Sequence, residues 1–297
     1  MNPNAVSGKS NRVFKIVVYT ILTFCALCAI LPFVLLIASS FTSEEALATY
    51  GYNFWPKEWS LYSYKWIFST NAARVMKAYG ITIFITVVGT ALSLLVAPLL
   101  AYPLSRRDYK RRNFFTFIVF FTMLFNGGVV SQYIMWTQLF HIKNTIWAWI
   151  FPNLLFTGFY VILYKNYFSS NIHPTLLEAA KIDGAGEWYI YFRIVLPLSL
   201  PILATIGLMT GLGYWNNWTN GLYFITDTNL YSLQQFLKSI IDNITALATL
   251  DSGSSADMPS VCIRMAIAVI GTVPIMLLYP FFQKAFVAGI ALGGVKE

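Results

Sequence analysis

The chain has 297 residues, 57% of them hydrophobic and only 11% charged, with a formal net charge of +8 at pH 7. A soluble domain carries about 25% charged residues, so this composition excludes a globular protein that covers its surface against water. The charged residues gather between long uncharged stretches, which is the pattern of several membrane spans.

A span needs about 20 apolar residues. The first, 14–41, follows a short basic segment, 1–13, with Lys9 and Arg12. A signal peptide also begins that way, but its apolar region is only about 7 to 15 residues, so this run reads as a retained span. The loop 42–78 carries Trp55, Trp59, Tyr62, Tyr64 and Trp66, an aromatic density suited to the membrane interface. Spans are expected next at 79–104, 114–136 and 145–164, then at 198–223 after a polar segment, 165–197. Within the loop 225–260, the spacing of Leu233, Phe236, Leu237 and Ile240 predicts a short helix over 232–241. Both long loops are open to two readings, a surface for a partner or interfacial packing. The last span is 261–282. The expected fold is an all-α membrane protein with six transmembrane helices and one transmembrane domain, 14–297.

Basic residues set the orientation. With the N-terminus in the cytoplasm, thirteen of the twenty Lys and Arg fall inside, among them Lys284 and Lys296, and both termini are cytoplasmic. The cluster Arg106, Arg107, Lys110, Arg111, Arg112 then reads as a topology anchor beside anionic headgroups, in contact with membrane lipid and not with nucleic acid.

Residue chemistry excludes most catalysts. Cys25, Cys28 and Cys262 fit neither a disulfide framework nor a four-ligand metal site. His141 and His173 both lie in loops, with no acid pair or metal spacing beside them. The string Ser7-Gly8-Lys9-Ser10 has Pro3 where a phosphate-cradling loop needs its first Gly. No enzyme, metal or cofactor is expected in this chain.

The segment 165–197 is far longer than an ordinary helix connection. Thr175 and Glu178 match a capping box, which predicts a helix starting there. Asp183-Gly184 and Gly186 end it in a turn, and a second apolar segment, 188–196, runs up to Pro197. Glu178, Ala179, Ala180, Lys181, Ile182, Asp183, Gly184 and Ala185, followed by Ile194, Leu196 and Pro197, resemble the EAA loop of permease subunits in binding-protein-dependent ABC importers. That resemblance implies a type I ABC importer permease fold in a bacterial cytoplasmic membrane. It also implies a cytoplasmic coupling helix in which Glu178, Ala179, Ala180, Asp183, Gly184 and Ala185 meet a separate ATPase. The implied partners are a second permease subunit, two ATPase subunits holding ATP and Mg, and an extracytoplasmic solute-binding protein.

No ionisable group sits at mid-depth in the spans, which argues against a proton-driven carrier. A stand-alone carrier or channel for an uncharged polar solute is the alternative reading. Amides and aromatics are present instead: Asn126, Asn153, Asn216, Asn217 and Asn220 among Trp215, Trp218 and Tyr223. Such groups suit a hydroxyl-rich ligand such as a sugar, and equally the bonding of one helix to another. The Asp-Gly-Ala form of the loop and the Trp-Asn-Asn-Trp stretch are similar to carbohydrate-type permeases, of which the smaller permease of the maltose system is one. The implied cargo is an oligosaccharide.

Overall fold

The computed structural model describes residues 9–152, 155–250 and 261–277, and among these no strand forms. Asn153, the string through Gly8, the end of the sixth expected span, Lys284 and Lys296 lie outside the described residues. Two compact units divide the chain: Met1–Ala72 with Asn243–Thr272, and Ala73–Asp242 with Val273–Glu297.

In the first unit, helix α1 (Lys9–Ser40) carries apolar residues on every side. Only 6% of its most apolar stretch is buried, an exposure that water does not tolerate and lipid does. Ser43 then caps α2 (Glu44–Tyr50), its hydroxyl accepting from Ala46 N at 3.2 Å. The Glu44 carboxylate in turn accepts from the backbone N–H groups of Val261 and Cys262 at 3.1 and 3.0 Å. It thereby caps helix α13 (Val261–Leu277) from far away in sequence.

Helix α3 (Tyr62–Ser105) begins 17 residues before the expected span, so the aromatic loop is shorter than its composition suggests. The remaining spans differ from expectation in one consistent way, because Asn, Gly and Pro interrupt them. Helices α4 (Arg112–Leu124) and α5 (Gly128–Leu139) replace a straight third span and meet at 113°. The expected fourth span divides at Pro152 into α6 (Trp147–Ile150) and α7 (Gly158–Asn171), and α7 runs seven residues past the expected end at 164. Helices α9 (Glu187–Leu198) and α10 (Leu200–Trp215) meet at 78°, where Pro201 has no N–H to continue the ladder. After Asn216 and Asn217 the chain resumes as α11 (Thr219–Phe224). Among the described residues two helices qualify as spans by length and apolarity, Arg12–Ser40 and Ala72–Ser105, and the two bent pairs raise this to four.

Helix α12 (Leu233–Leu250) is longer than its predicted core. Leu233, Phe236, Leu237 and Ile240 are buried together with Ile244, so the apolar face is used for packing and not for a partner.

Two apolar cores are described in the second unit. One gathers Ala101 and Leu104 of α3, Val161 and Tyr164 of α7, and Ile190 and Ile206 of α9 and α10. The other surrounds Trp149, whose indole N–H donates to Leu230 O at 2.9 Å. Tyr214 pins α10 to the end of α6, its hydroxyl donating to Ile150 O at 2.9 Å. Its ring lies so close to Gly89 of α3 that any Cβ there would overlap it. Gly89→Ala should therefore destabilise the protein by about 1–3 kcal/mol through overpacking, seen as a lower thermal midpoint of the purified protein in detergent. An unchanged midpoint would mean that the α3–α10 approach is looser than drawn.

Candidate functional site

The segment singled out in the sequence forms helix α8 (Pro174–Ile182). Its start corrects the expected capping box. Pro174 occupies the first helical position, the residue before it is His173, and no side-chain cap bond is made. Proline needs no partner there because it has no N–H and its φ is already helical. Thr175 is inside the helix, and Glu178 is exposed with no hydrogen bond or ion pair among the described residues.

The far end is fixed more tightly. Ala185 N donates to Ala180 O at 2.9 Å and Gly184 N to Lys181 O at 3.0 Å. With Gly184 at φ +83°, these two bonds make a Schellman motif. The motif brings Ala180 and Ala185 together, and both pack on the first core. The positive φ thus calls for glycine at 184, and the apolar contact that accompanies the motif is made by Ala180 and Ala185. Ala179 and Asp183 stay exposed.

Outward from this turn stands an uncovered apolar group: Leu176 (43% exposed), Ile182 (86%) and, on α9, Trp188 (65%) and Tyr189 (60%). Single exposed apolar residues are ordinary, but four around one turn mark a contact surface.

A charged cluster ties the same turn to the end of α3. Lys181 Nζ lies 2.7 Å from Glu187 and 3.4 Å from Asp108. Arg106 donates twice to Asp108, at 2.9 and 2.6 Å, and Tyr102 donates its hydroxyl to Glu187 at 2.8 Å. Arg106 holds the Asp108 carboxyl well below the usual carboxylate range, and Lys181 holds that of Glu187 down. Glu187 in turn raises Lys181. The carboxylate contributions are complete above the ordinary carboxylate range and vanish as pH falls through the lowered folded values. The lysine contribution is complete below its ordinary pKa and vanishes as pH rises through the raised one. The cluster is therefore fully charged from about pH 5 to about pH 10. Its members are partly exposed, so each pair is worth about 0–1 kcal/mol; what it supplies is orientation. The sequence reading took Arg106 as part of a topology anchor, and the acid at 108 inside that basic run was the available signal of a second role.

The amide and aromatic candidates divide into two groups. Asn217 and Asn220 are buried and bound locally: Asn217 Oδ1 accepts from Asn220 N at 3.1 Å, capping α11, and Asn220 Nδ2 donates to Pro152 O at 3.1 Å. Trp215 is also buried. In contrast, Asn216, Trp218 and Tyr223 are exposed, as is Asn126, whose Oδ1 accepts from Gly128 N at 2.9 Å in the α4–α5 break. No hydrogen bond joins Asn126 to the amides near α11 among the described residues. Asn144 escaped the sequence reading. Its side chain accepts from Thr226 N and Asp227 N at 2.6 and 3.1 Å, stapling the loop before α6 to the segment after α11.

Residues 5–292 match the family described as Binding-protein-dependent transport system inner membrane component. The chain is 38% identical over 288 residues to the polygalacturonan/rhamnogalacturonan transport system permease protein YtcP of Bacillus subtilis (strain 168), covering 96% of this chain and 99% of that protein. It is 39% identical over 290 residues to Protein LplC of the same organism, covering 97% and 96%. Among solved structures, it is similar to a chain in the crystal structure of a bacterial ABC transporter involved in the import of the acidic polysaccharide alginate. The identity is 29% and the TM-score 0.76, over 95% of this chain and 100% of that one.

A double-mutant cycle on Lys181→Gln and Glu187→Gln, read from the hydrogen-exchange opening of α8, should return a coupling of about 0.2–1 kcal/mol that shrinks with added salt. Strictly additive single effects would mean that the pair does not form.

Proposed function

Since the chain belongs to the family of binding-protein-dependent transport system inner membrane components, we propose that it is a permease subunit of an ATP-driven ABC importer for an oligosaccharide. Transport is across the bacterial cytoplasmic membrane by alternating access. A permease of this family is not itself an enzyme; ATP and Mg belong to two ATPase partners. A second permease subunit and an extracytoplasmic solute-binding protein complete the assembly. The orientation is that of the charge count, with both termini and the α8 turn in the cytoplasm, and the six-span layout is the one expected from the sequence.

The observation that carries this reading is α8 itself, nine residues long and locked at its end by the Schellman turn. Around it Leu176, Ile182 and Trp188 stand exposed. A rigid short helix with an uncovered apolar rim is suited to seating in a cleft of another protein, here the ATPase. Movement of that partner displaces α8. The Lys181–Glu187 contact then passes the displacement to α9, and the Lys181–Asp108 contact, with Asp108 held by Arg106, passes it to the end of α3, while α10 follows across the 78° bend. Glu178, exposed and without a hydrogen bond or ion pair among the described residues, is available to the partner, with Ala179 leaving room for close approach. A stand-alone carrier leaves this surface without a purpose.

The cargo is argued from the relatives, whose names and titles concern polygalacturonan, rhamnogalacturonan and alginate. The accessible groups Asn126, Asn216, Trp218 and Tyr223 suit hydroxyl-rich chains, amides for hydroxyls and aromatic faces for the sugar ring. Lys238 lies over the Trp218 ring at 5.2 Å, and that residue is 39% exposed. Trp215, Asn217 and Asn220 hold the interruption in which these groups sit.

Glu178→Lys should abolish uptake and weaken copurification of the ATPase while the permease still inserts. Normal uptake with normal ATPase association would remove the coupling role from α8. For the cargo, Trp218→Ala should raise the sugar concentration needed to stimulate the ATPase of the reconstituted complex roughly tenfold, the equivalent of about 1.4 kcal/mol of lost contact. An unchanged response would take Trp218 out of the pathway.

A further inference from the structure

We propose that the cleft between the end of α3, the start of α4 and α8 binds the phosphate headgroup of an acidic phospholipid. The cleft holds about 470 Å3, and its basic side is formed by Arg106, Arg107, Arg112 and Lys181. These bases are not equivalent. Arg106 and Lys181 are already held by Asp108 and Glu187. The Arg107 and Arg112 side chains make no hydrogen bond or ion pair among the described residues; Arg112 is partly buried, and Arg107 lines the cleft at its exposed edge. A guanidinium held in a cleft without a counter-ion keeps five donors in a planar fork, a geometry that matches phosphate oxygens.

The acids lining the cleft leave this positive character in place. Asp108 is committed to Arg106 and Lys181, so Glu178 alone stands against two free arginines. Helix α4 starts at Arg112 without a side-chain cap, which adds the positive end of a helix dipole at the same rim. The remaining wall is apolar and narrow, formed by the edges of Phe168, Ile172, Leu177 and Val195, which are otherwise buried in the first core. A guanidinium rim beside an apolar wall fits an amphiphile better than a free anion: the phosphodiester meets Arg107 and Arg112 while glycerol and the first methylenes lie along Phe168 and Leu177. The inference rests on the orientation proposed above, which places the cleft at the headgroup level of the anionic inner leaflet. Lipid bound there braces α8 against the start of α4.

Native mass spectrometry of the complete importer, released from nanodiscs of phosphatidylcholine with a minority of phosphatidylglycerol, tests this. The native complex should retain phosphatidylglycerol. Arg107→Gln with Arg112→Gln should lower that retention roughly tenfold or more, the scale of two basic contacts to an anionic surface. Lys110→Gln with Arg111→Gln, the same change of charge on exposed residues that do not line the cleft, should leave it unchanged. Equal losses in both double variants would reduce the site to general attraction between a basic surface and an acidic membrane, and no retention by the native complex would remove it. Displacement of the lipid by excess inorganic phosphate would overturn the lipid assignment in favour of a free-phosphate site; persistence in phosphate supports it. Because retention is counted by mass, while sugar uptake by the same preparation reports on the importer reading, the two can fail separately.

Discussion

Hydrocarbon offers a backbone N–H or C=O no water, so every interruption of a membrane helix must supply its own hydrogen-bond partners or lose several kcal/mol per group. That constraint shapes the whole second unit. Where the α4–α5 path breaks, Asn126 Oδ1 takes the Gly128 N–H. Where α10 gives way to α11, Asn217 takes the Asn220 N–H, and Asn220 turns its own amide to the carbonyl of Pro152. Asn144 gathers the N–H groups of Thr226 and Asp227 in the same manner. Amides near the spans are therefore first of all the repair of broken helices.

A second economy operates at the α8 turn. Alanine at 180 and 185 and glycine at 184 satisfy a helix end, while their small size keeps the turn flat against the first core. Satisfying the turn internally leaves its outer face uncommitted, with Ile182 almost wholly exposed. The Lys181, Glu187, Asp108 and Arg106 cluster then fixes the angle at which that face is held. Ion pairs this exposed add little stability, but a network spanning three segments restricts their relative motion, and force can be passed only between elements that do not slip.

Much of this was legible in the sequence. Composition alone demanded a membrane, and the apolar runs at 14–41 and 79–104 correspond to helices α1 and α3. The Glu178 to Ala185 string located a short helix and its turn within a residue or two. Periodicity in 232–241 identified the buried face of α12. These features are written locally, in hydrophobicity, helical spacing and turn chemistry, and such signals survive without knowledge of the fold.

What the tertiary structure decided were the relations between distant residues. A run of apolar residues has the same hydropathy whether straight or bent, so the interruptions at Asn126, Pro152 and Ser199 changed the path without changing the signal. The partner of Arg106 could have been any acid or a lipid; the fold chose Asp108 and placed Glu187 beside Lys181. It also separated Asn217 and Asn220, buried and bonded, from Asn216 and Trp218, exposed, although all four stand within five positions. The sequence by itself determined the solvent this chain requires and the turn it offers to a partner, since both follow from the chemistry of neighbouring residues. Which charges meet and which amides remain free depended on distances across the fold, and no local pattern encodes those.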